Sequence, residues 1–489
     1  MTRNRAVLLC AALLCAPRAV ALGQDASPYL YLHHPLYAEI DLLVERGVLR
    51  GLSPVVRPYR RGDIARAVQA ADTSRAGGVE RGWLARLRRE LRPELEGRVA
   101  VDGVLSATGR THAHRDLLRP ASPGRVDAAG EIDLRVVFPG VALETHLRAD
   151  NYYWHDPQLP ERVTSNRFRE RAEDAYVELG GRHARVLVGR LYRNWAPARV
   201  QGTLLSDYAY SFDQAALWAG GEKLSLSLVA ARLDDFPGDV RRYLALHRLD
   251  WQPSADLAVY GAEGVLYAGP GRDFELEFLN PVSLWFNENE NERVYRGVAS
   301  NNAFIGTGFW WRVKPSLIVF GDFTLDDIQV DAVNEPPSYA FYAGVVLPRL
   351  SERIVARASY TQVSNLSYRT ATDFERYTFR GLGLARDFSD YDLLGVEVDW
   401  FAAPGLSLVP KLAVLRRGQG DLRQPWPASF DGVETVLSGN VVTTVRPSLG
   451  GRAAVGQVLR VEWYGGINFG RYVSRFVGRL QGRLRLTPS

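Results

Sequence analysis

Hydrophobic positions along the chain keep two different periods. Between residues 35 and 96 they recur at helical spacing: Leu36, Ile40, Leu43 and Val44 share one face, and Gly47 stands where the residue after a helix end belongs. Ile64, Ala67, Val68 and Ala71 make a second face, and Trp83, Leu84, Leu87, Leu91 and Leu95 a third, stopped by Gly97. Three short helices bury little surface by themselves, so they are expected to pack on something larger.

From about residue 98 the period is two and stays two. Ile132, Leu134, Val136 and Phe138 alternate with Glu131, Asp133, Arg135 and Val137; after Pro139-Gly140, Val141, Leu143 and Leu147 alternate with Glu144, His146 and Arg148. Leu394, Val396, Val398 and Trp400 alternate with Gly395, Glu397 and Asp399. In the last segment Tyr472, Phe476, Leu480, Leu484 and Leu486 take one face, with Gly478 and Gly482, while Arg471, Arg475, Arg479, Arg483 and Arg485 take the other. Such a strand suits a wall between lipid and a wet lumen, because a charge on the lipid face costs about 2–4 kcal/mol at the midplane. A soluble sandwich is the competing reading, but a sheet this long without helical crossovers leaves open edges.

Short turns are expected at Pro139-Gly140, Gly180-Gly181, Gly220-Gly221, Pro253-Ser254, Pro315-Ser316, Pro404-Gly405 and Pro447-Ser448. Longer polar, aromatic-rich connections fall near 108–130, 150–172, 190–214, 265–302, 362–390 and 416–433. The pattern predicts an all-β transmembrane antiparallel barrel of about 18 strands over residues 98–489. A small α-helical module, residues 22–97, lies on its periplasmic side, where the short turns also point.

Composition changes this picture little, but it narrows it. A length of 489 residues would suggest about three soluble domains if no barrel took most of the chain. Arg3 and Arg5, the apolar run Ala6 to Ala16 and Ala19-Val20-Ala21 read as a cleaved signal peptide over residues 1–21. Leu9 and Leu14 stand where a lipoprotein signal needs a small residue before its cysteine. Both cysteines, Cys10 and Cys15, lie in that leader, so neither disulfides nor thiol chemistry is expected after it. Removing it takes away three Arg and no acid, so the net charge of +5 becomes +2, which is no argument for nucleic acid. Disorder is excluded by the aromatic content, and no later apolar run reaches the roughly 18 residues of a membrane helix. The expected location is the outer membrane, with lipid as a partner.

Six stretches in order carry a resemblance to the Wzi-type capsule-assembly family of outer-membrane proteins. They are Tyr192-Arg193-Asn194-Trp195-Ala196-Pro197 with Leu204-Leu205-Ser206-Asp207 and Phe212-Asp213; His247-Arg248-Leu249 with Gln252-Pro253-Ser254; Phe274-Glu275-Leu276 to Leu279-Asn280-Pro281; Ser300-Asn301-Asn302; Leu325-Asp326-Asp327; and Tyr377-Thr378-Phe379-Arg380-Gly381. The resemblance implies an eighteen-stranded barrel closed by a helical bundle and a non-enzymatic, lectin-like role in retaining surface polysaccharide. Two features depart from the family: Ala196-Pro197-Ala198 replaces Gly-Pro-Gly, and the chain ends Leu486-Thr487-Pro488-Ser489 without a terminal aromatic. A second, partial likeness, Leu43-x-x-Arg46-Gly47-Val48-Leu49-x-Gly51 with Arg57-Pro58-Tyr59 and Asp63-Ile64-Ala65, resembles a single S-layer-homology repeat and implies contact with peptidoglycan.

No catalytic motif is present: there is no Gly-x-Ser-x-Gly, Walker loop or His-Glu-x-x-His. Asp326 and Asp327, adjacent on a strand, point to opposite faces and cannot act as one acid–base pair. The run Asn287 to Glu292 could hold calcium, but reads better as a solvated loop, and His112 and His114 could share a strand face. No enzyme activity, cofactor or metal is expected. Connectivity puts Trp195, Asp207, Asp213, Asn280, Asn287, Asn301 and Asn302 at the extracellular end, where they are the expected polysaccharide-binding residues of a monomer. Two function classes remain: a plugged polysaccharide-assembly protein, with or without wall anchoring, and a diffusion porin with an arginine-lined lumen.

Overall fold

The computed structural model describes residues 26–91, 99–111, 117, 125–151, 169–286, 301–327, 335–403, 405–456, 458–470 and 474–486. Three helices come first: α1 (Tyr37–Glu45), α2 (Arg61–Gln69) and α3 (Gly78–Glu90). Gly47 follows α1 with φ +71°, as its place after the helix requires; Leu95 and Gly97 lie outside the described residues. The helices share a core of Leu36, Ile40, Leu43, Ile64, Val68, Leu84 and Leu87.

The barrel strands ascend and descend in chain order. They are β1 (Ala100–Arg110), β2 (Arg125–Phe138), β3 (Val141–Asp150), β4 (Arg169–Gly180), β5 (Ala184–Leu191), β6 (Phe212–Gly220), β7 (Leu224–Arg232), β8 (Val240–Ser254) and β9 (Leu257–Pro270). The second half is β10 (Asn301–Lys314), β11 (Leu317–Asp327), β12 (Ser338–Ser351), β13 (Ile354–Val363), β16 (Tyr391–Ala403), β17 (Leu406–Arg417), β18 (Val442–Val455), β19 (Leu459–Gly470) and β20 (Ser474–Arg485). Between β13 and β16, the two-residue strands β14 (Thr378–Phe379) and β15 (Leu382–Gly383) make a separate small ladder. The other eighteen pair antiparallel with their neighbours, and β1 pairs with β20, which closes the sheet. No described helix is long and apolar enough to cross a membrane, so the crossing is made by strands.

Two of the expected turns lie elsewhere. Pro253 and Ser254 finish β8, and the chain reverses after them. Pro447 sits in the middle of β18, and the reversal comes at Gly456 with φ +63°. A proline can stand there because the ladder to β19 jumps from Val445–Phe469 to Ser448–Gly466, so its missing N–H falls in a gap.

The last strand divides its faces as its sequence predicts. Phe476, Leu480, Leu484 and Leu486 are exposed on the outer surface, whereas Arg483 reaches Glu131 at 2.6 Å and Arg485 reaches Asp102 at 2.6 Å inside; Arg471, Tyr472 and the Arg475 side chain are outside the described set. Ion pairs and hydrogen bonds also tie the helical module to β4, β10, β12, β13 and β20. Arg60 meets Glu178 of β4 at 2.9 Å, Arg312 of β10 donates to the Val44 carbonyl at 2.6 Å, and Arg46 donates to the Pro348 carbonyl of β12 at 3.0 Å. Arg357 of β13 pairs with Glu45, and Arg485 of β20 with Glu90. The module therefore fills the bore at the short-turn end.

Candidate functional site

Above the module the lumen is filled by three loops in tiers. The first, residues 192–211 between β5 and β6, folds inward. Asn194 and Arg57 exchange backbone hydrogen bonds of 3.0 and 3.1 Å, which ties this loop to the module. The Asn194 side chain accepts from Gly202 N–H at 3.0 Å and donates to the Val200 carbonyl at 2.8 Å, closing the bend. Trp195 is 2% exposed and packs among Leu204, Leu205, Tyr208 and Tyr260, with the Arg248 guanidinium 5.4 Å from its ring centre. Burial inside the barrel, beside Arg357, pushes the Arg199 guanidinium down to about 10 although Asp399 pairs with it.

The second tier, residues 364–390 between β13 and β16, lies on the first. Tyr368 Oη donates to the Thr203 carbonyl at 2.6 Å, Tyr377 Oη to Leu204 at 2.9 Å, and Ser206 N–H to Leu384 at 2.9 Å. Its anchor to the wall is Arg242 of β8, which is fully buried. That guanidinium donates to the carbonyls of Phe374, Arg376 and Thr378 at 2.7, 2.7 and 2.9 Å and to Asp234 at 2.8 Å. The third tier, residues 418–441 between β17 and β18, rests on the second. Asp390 accepts from Gly420 N–H at 2.7 Å and Ser438 N–H at 3.0 Å, and Arg423 binds the Asp387 carbonyl at 2.8 Å. The top of this stack carries Trp426 and Phe430, half-buried, with ring centres 6.0 Å apart and edge-to-face. Exposed Asp373, Arg380, Gln424 and Asp431 belong to the same two loops. Aromatic faces with nearby carboxylate, amide and guanidinium groups can take the apolar face and the hydroxyls of a sugar.

A fourth long connection goes the other way, onto the outside of the wall. On β8, Leu249 and Trp251 are exposed to lipid while Arg242 and Arg248 are buried in the lumen, so His247 shares the outer face. Its cross-strand partner Glu263 lies 3.0 Å from it. Residues 271–286 cover this pair: Trp285 stacks on His247 with ring centres 4.0 Å apart, and its N–H donates to Glu263 at 2.9 Å. The indole N–H donates to the Asn280 carbonyl at 3.0 Å. Leu276, Val282 and Leu284 are then exposed on the outer surface of this cover.

The residues singled out from sequence are thus dispersed. Trp195 and Asp207 lie in the first tier, the latter 3.7 Å from His33 of the module. Asp213 faces outward and pairs with Arg190 at 2.8 Å. Asn280 shapes the outer-wall loop, and Asn301 shares the outer face of β10 through its pairing with Tyr267. Asn302 points inward and donates to the Glu375 carbonyl at 3.4 Å, joining β10 to the second tier. Asn287, Glu288 to Glu292, His112 and His114 lie outside the described residues. Asp326 accepts from Tyr368 N–H, so it too fastens the second tier. Connectivity assigns these loops to one end but does not say whether a loop projects, folds in or folds out. The aromatic pair of the third tier was missed; its signal is Pro425-Trp426-Pro427, an indole held between prolines in a polar connection. In the S-layer-like stretch, Leu43, Arg46, Leu49, Arg57 and Tyr59 are buried.

No protein-family model matches the chain, and no curated protein matches it significantly. Among solved structures it is similar to Wzi of Escherichia coli, described as an outer-membrane protein involved in group 1 capsule assembly and a carbohydrate-binding β-barrel. The TM-score is 0.66 at 14% identity, covering 95% of this chain and 100% of that one. This likeness shows a shared outer-membrane barrel fold. OccAB4 of Acinetobacter baumannii (TM-score 0.45, 10% identity, 79% and 98% covered) and OprD of Pseudomonas aeruginosa (0.44, 8%, 79% and 95%) are also similar.

Proposed function

We propose that this protein is an outer-membrane barrel that binds or retains a surface polysaccharide at its long-loop end, and that it does not serve as a diffusion pore. In this reading residues 1–21 are a leader, 22–97 a periplasmic module and 98–489 the barrel. The observation that carries it is the tiered filling of the lumen, which replaces a permeation path by a platform topped with Trp426 and Phe430. Arg357, Arg483 and Arg485 are each engaged by carboxylates, so these three arginines present no free anion-attracting lining. Trp195, Asp207 and Asn302 then support the platform from below. The carbohydrate-binding character of Wzi, whose fold this chain shares, supports the same choice of ligand class.

The test is a paired measurement on the intact protein. Trp426→Ala with Phe430→Ala should reduce retained surface polysaccharide while heat-modifiable gel mobility stays normal, and the unaltered protein should carry no steady current in a planar bilayer. Unchanged retention in a properly inserted double mutant would sink the platform assignment, and a steady ohmic current would favour the porin.

A further inference from the structure

The lumen is not filled evenly. Between the module, the first tier and the inner wall of β4 to β8 lies a chamber of about 1030 Å³, at the upper end of the roughly 300–1,000 Å³ usual for ligand sites. Its lining includes Arg182, Glu222 and Lys223 in exposed short turns, so its mouth is at the short-turn end; its inner end reaches Trp195.

The charge in this chamber is unbalanced. Seven basic and four acidic side chains line it. All four acids are already engaged: Glu178 by Arg60, Asp63 by Arg66, Glu222 by Arg182, and Asp250 by Arg248. Among the described residues Arg50, Arg185, Arg193 and Lys223 have no carboxylate partner. Arg193 donates to the Gln214 side-chain oxygen, and Arg185 lies 3.6 Å over the Trp218 ring with its Nε unbonded. Cations gathered in a walled cleft make a standing positive potential that concentrates anions. Trp218 and Tyr29, both half-buried, add ring surface to the same walls.

We propose that this chamber binds a segment of acidic oligosaccharide entering from the periplasmic side, its carboxylates on the four cations that lack a carboxylate partner and its sugar faces against Trp218 and Tyr29. The choice of a glycan rests on the function proposed above; the chamber and its charge do not. A compact inorganic anion would use the cations and leave the rings idle, and a neutral sugar would do the reverse. A guanidinium presents the planar fork that a carboxylate matches with two hydrogen bonds.

Calorimetric titration of the full-length protein in detergent, its fold checked by heat-modifiability, tests this. The probes are hexagalacturonate, maltohexaose and inorganic phosphate. Hexagalacturonate should bind saturably and weaken at high salt, with affinity falling about tenfold, one charge-assisted contact, in Arg185→Gln and separately in Lys223→Gln on the exposed turn. Trp426→Ala with Phe430→Ala should leave this binding unchanged. No saturable binding, affinity in both single variants unchanged from that of the unaltered protein, or phosphate competing as well as the hexamer would overturn the proposal. Loss of binding only in the Trp426 and Phe430 variant would place the acidic glycan on the outer platform and overturn the chamber alone.

Discussion

Arg242→Met removes one guanidinium and keeps most of the side-chain volume beside Phe236. Four acceptors lose their donor: three carbonyls of the second tier and the Asp234 carboxylate. Removing one partner from a buried, hydrogen-bonded charge costs about 3–5 kcal/mol. The tier keeps its bonds from Tyr368 and Tyr377, so the cost falls on the docking of residues 364–390 and not on the barrel. At about 4 kcal/mol the undocked population rises by roughly a thousandfold, since 1.4 kcal/mol is a factor of ten. Amide hydrogen exchange reads this directly. The N–H groups of Ser206, Gly383 and Tyr377, each bonded within or to this tier, should exchange up to about a thousand times faster, while β8 amides stay protected. If exchange in 364–390 changes less than about tenfold, or if the strands lose protection equally, Arg242 is not the anchor described.

Trp285→Ala uncovers His247 and Glu263 to lipid and removes a buried indole, so the barrel should lose about 3–5 kcal/mol in urea unfolding from lipid vesicles; a loss under about 1 kcal/mol refutes the seal. Deletion of residues 26–91 should leave a heat-modifiable barrel in the membrane fraction, because every barrel strand begins after them; failure to insert would make the module part of the barrel's folding unit. Burial, with Arg61 and other arginines nearby, holds His34 well below its usual value. The unfolded imidazole takes up a proton below about pH 6.5 and the buried one does not, so attachment of the module weakens as pH falls through that value. The rate of trypsin cleavage within 26–91, taken relative to that of His34→Gln at the same pH, should therefore rise between pH 7.5 and 5.5; a constant ratio refutes the assignment.

Strand alternation was legible because each wall residue meets one of two opposed solvents. Phe476, Leu480 and Leu484 against Arg483 and Arg485 leave no choice of face, and the count of eighteen followed from such segments. Pro447 misled as a turn because a proline in a strand is tolerated wherever the ladder has a gap, and gaps have no sequence mark. The loops were harder. Residues 192–211 are connected like an extracellular loop, but Ala196, Leu204, Leu205, Tyr208 and Tyr210 are denser in apolar groups than a solvated loop needs, and that density is the trace of inward folding. His247 and Glu263 broke the alternation of β8 and β9 on the lipid face, and nothing local could supply their cover. It came from Trp285, some twenty residues beyond Glu263.

The covered pair constrains how the barrel can be assembled. A hairpin of β8 and β9 entering the bilayer alone would carry an imidazole and a carboxylate into hydrocarbon before anything shields them. The shield is part of the connection to β10, so it can close only once that connection has reached the far side. Insertion is then expected to be cooperative over β8, β9 and the segment after them. A chain stalled between β9 and β10 would sit at the membrane surface with this hairpin outside the lipid.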